Sequence, residues 1–506
     1  MKIFIKLFFC GGLTSLIFPP FFITPIGLLT LPYFFWVIIE RSNQRKLLNK
    51  FGEGFFFGLG LNLFLFLWLK NPFLIEDHTR ELFFLSYLLV FYLSIYYGIF
   101  SIILSFFKDL RIKLILLPAL FVSIEIVKTK LFIAFPWGLF GYVFSNQIYL
   151  LQNVKFIGTY GLSYLVVITF LLPLLFYKIM YGTNKIFYFS YSLIIFMILG
   201  SLTIFSNLNY QDYSNAQKKQ IVDVVIYQNN TPQIEKWDPK KMNKRMDNLL
   251  NFIQDNSKNK HNTLLVLSET EIPYFISEDN DLLSVIQSKL DANTVVVSGA
   301  IRTNSENSVF YNTLYKISSE EIEFFDKKIL VPFGEYLPLR NFLPFLDMFF
   351  KKSSEFISGN NIRSLRLFND INFIPTICYE NIFFENIIDK YNLDHQIIIN
   401  ITNDAWFGRY QGPYQHFYQS IVRSVEYGKY LIRVSNNGIS AIVDPRGRIL
   451  YSSKLNERIS YRYSLHINNQ NNYYSNNDKY LIFNVFLFLI LSLSLLLQIF
   501  LKNEKL

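Results

Sequence analysis

Three residues of this 506-residue chain have the types that acyl chemistry needs, and each stands beside an apolar run. Cys378 follows Ile374-Pro375-Thr376-Ile377, Glu269 follows the run Thr263 to Leu267, and Lys327 opens a segment running through Ile329-Leu330-Val331 to Glu335. A deprotonated thiol is a strong nucleophile, and a glutamate can take its proton. A lysine ammonium together with a backbone N–H, here that of Tyr379, can hold the oxyanion of a tetrahedral intermediate. Each residue also has a blander reading. An isolated glutamate caps a strand end, a lysine before an apolar run is a solvated flank, and a free cysteine is a small buried hydrophobe. The stretch Glu380-Asn381-Ile382-Phe383-Phe384 reads as the opening of a helix, whose dipole would stabilise a Cys378 thiolate. A Glu–Lys–Cys set is less common than Cys–His, and spacing alone leaves both readings open.

Short β-branched runs bounded by polar turns must position these groups. Strands are expected at 221–226, 263–267, 294–298, 374–377 and 396–400. Lys240 to Asp255 reads as a helix between two of them. Ser440 to Val443 and Arg448 to Leu450 flank Asp444-Pro445-Arg446-Gly447, a hairpin with turn chemistry. The sum is a layered α/β domain of about 250 residues, large enough for its own core.

The rest of the chain has a different composition. Charged residues are 17% of the whole, against about a quarter in soluble domains, and phenylalanine alone contributes 54 residues. This excludes a disordered chain, a disulfide scaffold and a wholly soluble enzyme. Seven apolar runs, at 3–18, 21–39, 52–70, 82–106, 112–131, 160–178 and 186–206, precede the polar domain, and an eighth at 479–501 follows it. The expected division is 1–207 as a transmembrane domain, 208–478 as the α/β domain, and 479–506 as a last span and tail. With the N-terminus inside, the short inner segments hold thirteen Lys and Arg. The outer ones hold five: Lys70, Arg80, Lys128, Lys130 and Lys155. Positive residues gather on the cytoplasmic side, so both termini are expected inside and the polar domain outside. The net charge of +10 is thus at least partly topological, and no basic stripe interleaved with aromatics points to nucleic acid.

Cys10 and Cys378 are the two cysteines, too few for a framework and too differently placed to pair. Two Phe before Cys10 do not suit a lipoprotein cleavage site, so the first run reads as an uncleaved helix. Gly54 and Gly58 form a small-xxx-small pair that chance explains better than packing does.

In order along the chain, these segments resemble the nitrilase (carbon–nitrogen hydrolase) superfamily, and within it the apolipoprotein N-acyltransferases. The resemblance rests on Lys327 to Pro338, Ile377-Cys378-Tyr379-Glu380 and Asn400 to Gly408. It rests also on Gln415-His416, Arg423, Glu426, Arg433 to Ser440, and Gln228-Asn229-Asn230 with Lys236-Trp237. It covers most of the chain and implies a bundle of about eight membrane spans plus an extracytoplasmic α/β nitrilase-like α-β-β-α sandwich. By this resemblance Glu269 is the general base, Lys327 the oxyanion-stabilising cation and Cys378 the nucleophile. Glu335 is a second carboxylate that orients Lys327, and Tyr379, Glu380 and Trp237 surround the site. The chain departs from the family pattern at Leu267-Ser268-Glu269, where Trp-Pro-Glu is usual, at Ile329, where His is common, and at Glu271, where a small residue is usual. Glu269 and Glu271 therefore compete for the role of base, and Glu269 keeps the expected spacing to Pro273.

The implied reaction is N-acylation of the N-terminal diacylglyceryl-cysteine of apolipoproteins by a phospholipid acyl donor, through a thioester, at the end of lipoprotein maturation. The implied enzyme is a monomeric, multi-pass protein of the bacterial inner membrane with its catalytic domain in the periplasm, using no cofactor or metal. The segment Leu339 to Lys352, rich in Phe and ending in two Lys, reads as an arm touching the membrane surface or as core packing. His416, in Tyr414-Gln415-His416-Phe417, reads as a structural helix start. Two other functions stay open: a membrane-anchored amidase with the same triad, and a transporter whose outer domain only binds. Few buried charges beyond Glu53 and Glu125 are expected in the spans, which speaks against a solute path.

Overall fold

The computed structural model describes residues 1–40, 46–75, 77–131, 133–208, 219–258, 261–277, 281–304, 309–336, 355–368, 370–468 and 477–503. The arm expected at Leu339 to Lys352 lies outside these described residues. The chain divides into two compact units. One is Met1–Lys70 with Phe83–Tyr210 and Asn477–Leu506; the other is Asn71–Leu82 with Gln211–Asn476.

In the first unit each apolar run lies on a helix: Lys2–Thr14, Thr24–Glu40, Leu47–Leu65, Leu85–Ser105, Leu110–Lys130, Val154–Tyr181, Lys185–Leu208 and Asp478–Asn503. A helix satisfies its own backbone donors and acceptors, which suits sequence too apolar for water. Among the described residues, four helical segments are long and apolar enough to cross a membrane: Thr79–Ser105, Val154–Tyr181, Lys185–Leu208 and Asp478–Leu501. Leu47–Leu65 with Leu67–Ile75 adds a fifth if its 63° bend is one broken span.

Two expectations for this unit are corrected. Gly54 and Gly58 are a packing face: a Cβ at Gly54 would stand 1.9 Å from the Tyr97 carbonyl oxygen, and one at Gly58 2.6 Å from the Tyr97 ring. Helix Leu85–Ser105 approaches Leu47–Leu65 closely there because neither glycine has a side chain. Buried charges are also more numerous than expected, since Lys113, Lys128 and Lys155 join Glu53 and Glu125. Three of them have internal hydrogen-bond partners. Lys113 donates to the Ile39 carbonyl (3.0 Å), Lys155 to Gln152 Oε1 (2.8 Å), and Glu125 accepts from the Phe140 N–H (2.9 Å). Lys128 lines the same small cavity as Glu125. Scarcity of buried charge therefore does not speak against a solute path in this unit.

The second unit holds thirteen strands among the described residues: β1 (Lys219–Gln228), β2 (Thr263–Leu267), β3 (Phe275–Ile276), β4 (Thr294–Thr303), β5 (Phe310–Ser318), β6 (Ile322–Asp326), β7 (Leu365–Phe368), β8 (Ile371–Ile377), β9 (Ile397–Thr402), β10 (Tyr430–Ser435), β11 (Ala441–Val443), β12 (Ile449–Ser452) and β13 (Ile459–Asn468). They form two sheets. One has the order β13-β1-β2-β4-β5-β6 with β3 beside β4, and the other runs β12-β11-β10-β9-β8-β7. The central neighbours β1, β2 and β4 are parallel, as are β8, β9 and β10.

Alternate residues decide the layers. Val222, Val224 and Ile226 of β1, Leu264 and Val266 of β2, and Ile397, Ile399 and Ile401 of β9 meet between the sheets. Val225, Leu265 and Val296 point outward onto a helix. That helix, Pro239–Ser257, starts where Asp238 accepts from the Lys240 N–H (3.0 Å) with Pro239 at the first position. Its Met246, Leu249 and Ile253 form one apolar stripe against the sheet. Helix Gln411–Tyr427 covers β10 of the other sheet and stops at Gly428 in the left-handed conformation (φ 63°). The architecture is the expected α-β-β-α sandwich. The Asp444–Gly447 turn joins antiparallel β11 and β12, with Gly447 at φ 86°.

Candidate active site

Glu269, Lys327 and Cys378 all lie at strand C-terminal ends. Glu269 comes two residues after β2 and Lys327 directly after β6. Cys378, one residue past β8 of the second sheet, packs into the apolar layer between the sheets. Strands β2 and β6 point the same way, because β5 runs antiparallel to both β4 and β6.

The Lys327 ammonium donates to Glu335 Oε1 (2.8 Å) and stands 3.9 Å from Glu269 Oε1. Asn312, in β5 between the two acids, donates its amide to Glu269 Oε1 (2.7 Å) and to Glu335 Oε1 (2.9 Å). Its carbonyl also accepts from the Lys327 N–H (2.8 Å). Glu335 Oε2 accepts from the Val331 N–H (2.8 Å), so Glu335 is held at both oxygens. Sequence reasoning did not single out Asn312, whose signal was a polar residue inside a strand.

Burial sets the charge states. Lys327 is 1% exposed and burial alone would depress it, but Glu335 and then Glu269 more than offset this and hold its ammonium above the ordinary lysine range. Burial pushes the Glu269 carboxyl up, against the pull of Lys327 and with a further push from Glu335. The Cys378 thiol is pushed up to about 12, by burial first and Glu269 next, while Lys327 pulls it down. The expected support of a thiolate by a following helix is corrected. The segment after Cys378 is a five-residue 3₁₀ turn, Cys378–Ile382, too short to build a macrodipole. The arrangement is a neutral thiol beside a carboxylate poised to accept a proton and a fixed cation, which suits deprotonation at the moment of attack.

Backbone strain gathers at the same place. Thr270 (φ 52°) follows Glu269, Phe333 (φ 63°) precedes Glu335, and Cys378 itself has φ 52°. Left-handed conformations cost non-glycine residues about 1–3 kcal/mol each and persist only where surrounding contacts enforce them. Glu380 supplies such contacts. It is 1% exposed; its Oε1 accepts from the Lys328 N–H (2.8 Å) and Arg363 (2.8 Å), and its Oε2 from the Ile377 N–H (2.9 Å). One carboxylate thus ties the residue after Lys327 to the residue before Cys378.

The two candidate bases are separated by their partners. Glu271 accepts from Ser268 Oγ (2.6 Å) and Asn229 Nδ2 (2.9 Å), whereas Glu269 faces Lys327. Segment 228–236 is drawn in by Asn436, whose side chain pairs with both the N–H and the carbonyl of Thr231 (2.9 and 2.8 Å). It delivers Lys236, 2% exposed, which donates to the Glu269 carbonyl (2.9 Å) and Thr270 Oγ1 (2.7 Å). Tyr379 is buried with its ring against Phe383 (5.0 Å). Trp237 is half-exposed and stacked on Phe275 (5.5 Å), at the rim rather than among the buried acids. His416 lies within helix Gln411–Tyr427, and its Nε2 is 3.2 Å from the Cys378 carbonyl oxygen.

Two family models match the chain. The apolipoprotein N-acyltransferase N-terminal domain matches residues 10–172, and the carbon–nitrogen hydrolase domain matches residues 225–462, which contain the whole cluster. Apolipoprotein N-acyltransferase of Rickettsia prowazekii is 32% identical over 469 residues, covering 88% of each chain. The protein of that name from Brucella melitensis is 32% identical over 473 residues, covering 88% of this chain and 87% of its own. That of Wigglesworthia glossinidia brevipalpis is 30% identical over 467 residues, covering 89% of both. With both domains matched in order and relatives aligned over nearly the full length, the chain is an acyltransferase and belongs to the apolipoprotein N-acyltransferase family.

Proposed function

We propose that this protein transfers an acyl chain from a phospholipid to the N-terminal amine of diacylglyceryl-modified apolipoproteins, with Cys378 as the covalent carrier. The observation that supports this most is the buried set of thiol, carboxylate and paired ammonium at strand ends, in an acyltransferase-family chain with several long apolar helices. Those helices keep the enzyme in the lipid phase from which its donor comes.

Glu269 takes the Cys378 proton, and the thiolate attacks the ester carbonyl of the donor. The oxyanion rests on the Lys327 ammonium and the Tyr379 N–H, with Lys327 aimed by Glu335. The C–O bond breaks, and the leaving lysophospholipid takes the proton from Glu269. The acceptor amine then attacks the thioester and gives its proton to Glu269. The C–S bond breaks, and the thiol regains its proton. A thioester reacts with amines more readily than the starting ester does, so one hard step becomes two easier ones.

In this reading 1–207 and 479–506 form the eight-span membrane anchor with both termini in the cytoplasm of a bacterium. Residues 208–478 act on the periplasmic side of the inner membrane, and the enzyme works as a monomer. Three incubations test the reaction: phospholipid alone, a diacylglyceryl peptide alone, and both. The proposal expects lysophospholipid from the first, nothing from the second and triacylated peptide from the third. Lysophospholipid only in the third would mean direct transfer. Steady release of free fatty acid with no acylated peptide would mean a hydrolase. A reporter fused at residue 260 that works only in the cytoplasm would overturn the orientation.

A further inference from the structure

A polar group on β9, the strand paired with β8, reaches the Cys378 sulfur. Thr402, the last residue of β9, places its hydroxyl 3.2 Å from Cys378 Sγ and 3.1 Å from Asp404 Oδ1. A hydroxyl has one proton to donate, so it serves one of these acceptors at a time. Asp404 does not depend on it. His416 Nδ1 lies 2.8 Å from Oδ1 and Arg433 Nη2 lies 2.7 Å from Oδ2. Arg433 is fixed in turn by Asn400 and Ser420. Thr402, Asp404, His416 and Arg433 are each fully buried, so no solvent competes for these bonds.

We propose that the Thr402 hydroxyl stabilises the Cys378 thiolate, its proton turned to Asp404 while the sulfur is a thiol and to Sγ whenever the sulfur carries charge. The proposal rests on reading Cys378 as the nucleophile. A carboxylate is a far better acceptor than a neutral thiol, so the resting hydroxyl points to Asp404. When Glu269 removes the thiol proton, the S–H bond breaks and the sulfur keeps the pair. The hydroxyl then turns to Sγ, and Asp404 keeps its bond from Arg433. Thr402 transfers no proton. As the C–S bond of the thioester forms, the sulfur becomes a weak acceptor and the hydroxyl turns back. When the acceptor amine expels the sulfur, the departing thiolate takes the hydroxyl again. One residue thus assists both half-reactions.

The charged groups around this sulfur are Glu269, Lys327 and Asp404, with Lys236 also within electrostatic reach. His416 touches the Cys378 carbonyl and Arg433 acts through Asp404. A change at Thr402 leaves all of them in place. Thr402→Val keeps the shape and removes the donor; Thr402→Ala removes it without adding a methyl; Thr402→Ser keeps it.

The test is the alkylation rate of Cys378 by iodoacetamide in the full-length protein, between pH 7 and 9, read by peptide mass mapping so that Cys10 is scored separately. Below the thiol midpoint this rate follows the thiolate fraction. Losing one hydrogen bond to a charged group lowers it roughly 10–100-fold, a displacement of about one to two pH units. Val and Ala should both show that displacement, and Ser should stay within a few-fold of the wild type. If Val folds poorly, the Ala and Ser pair decides. Wild-type rates in Ala or Val would overturn the proposal. Phospholipid loading of wild-type Cys378 is measured alongside. Loading with an undisplaced profile fails Thr402 alone. A displaced profile without loading upholds the hydroxyl's grip on the sulfur and fails the acyl-carrier reading.

Discussion

Glu269 and Lys327 face each other across 3.9 Å, too far for a hydrogen bond and close enough for strong coupling in a buried site. Asn312 holds the Glu269 side at 2.7 Å and Glu335 holds the Lys327 side at 2.8 Å, so neither needs the other to stay in place. A carboxylate locked in a tight ion pair would be a poor base. Here Glu269 is kept near the cation without a hydrogen bond to it, as the proposed role of base requires.

Lys327→Ala removes the cation proposed to hold the oxyanion. Loss of one oxyanion donor costs roughly 10²–10³ in rate, and the same factor is expected in donor-only loading of Cys378. Quantifying lysophospholipid in a single turnover checks it; a loss below ten-fold would remove Lys327 from that role.

Burial raises the Glu269 carboxyl, so the group stays protonated to a higher pH than an ordinary glutamate. A base works only when deprotonated. The acid limb of the loading rate should therefore lie above the usual carboxylate range, with activity falling as pH drops through it. Glu269→Gln should load far more slowly and lose that limb. A Gln variant with the wild-type profile would assign the base elsewhere.

The reading from sequence reached Glu269 and Cys378 because each stands at or near the end of an apolar run, where a strand stops and a side chain comes free, and Lys327 because it precedes such a run. It could not reach Asn312, because β5 carries Asn312 and Lys316 among its apolar residues and does not look like a strand. β10 was hidden by Arg433, and β13 by Arg462 and its tyrosines. Thr402 and Asp404 were visible as a segment but had no role until β8 and β9 paired in parallel. The choice between Glu269 and Glu271 needed Ser268 and Asn229, whose hydrogen bonds no spacing shows.

Glu380 is held below the ordinary glutamate range: burial pushes it up, and Arg363 more than offsets that. Its contribution to stability is complete above the unfolded value, about 4.3, and is lost as pH falls through the lower folded value. Glu380→Gln should cost about 3–5 kcal/mol at neutral pH, the usual result of breaking a buried pair. Thermal unfolding in detergent should show this gap narrowing below about pH 4. A gap that ignores pH would mean that packing, not charge, carries the effect.

Gly54 and Gly200 make a matched test of helix packing. A Cβ at Gly54 meets the Tyr97 carbonyl oxygen at 1.9 Å, while one at Gly200 meets nothing within 4 Å. Gly54→Val should destabilise the protein by at least about 1–3 kcal/mol through overpacking, and Gly200→Ala should be neutral or stabilising. Melting temperatures of the two purified variants decide it; equal values would deny the close approach.

The central claim is that Cys378 carries the acyl chain. The most direct measurement is mass spectrometry of the purified protein after incubation with a phospholipid of one defined acyl chain and no acceptor. A mass increase equal to that chain is expected on the Cys378 peptide. It should be released by hydroxylamine, transferred to an added diacylglyceryl peptide, and absent from Cys378→Ser. Turnover to acylated peptide with an unmodified Cys378 at every time point, or full activity of Cys378→Ser, would contradict the account.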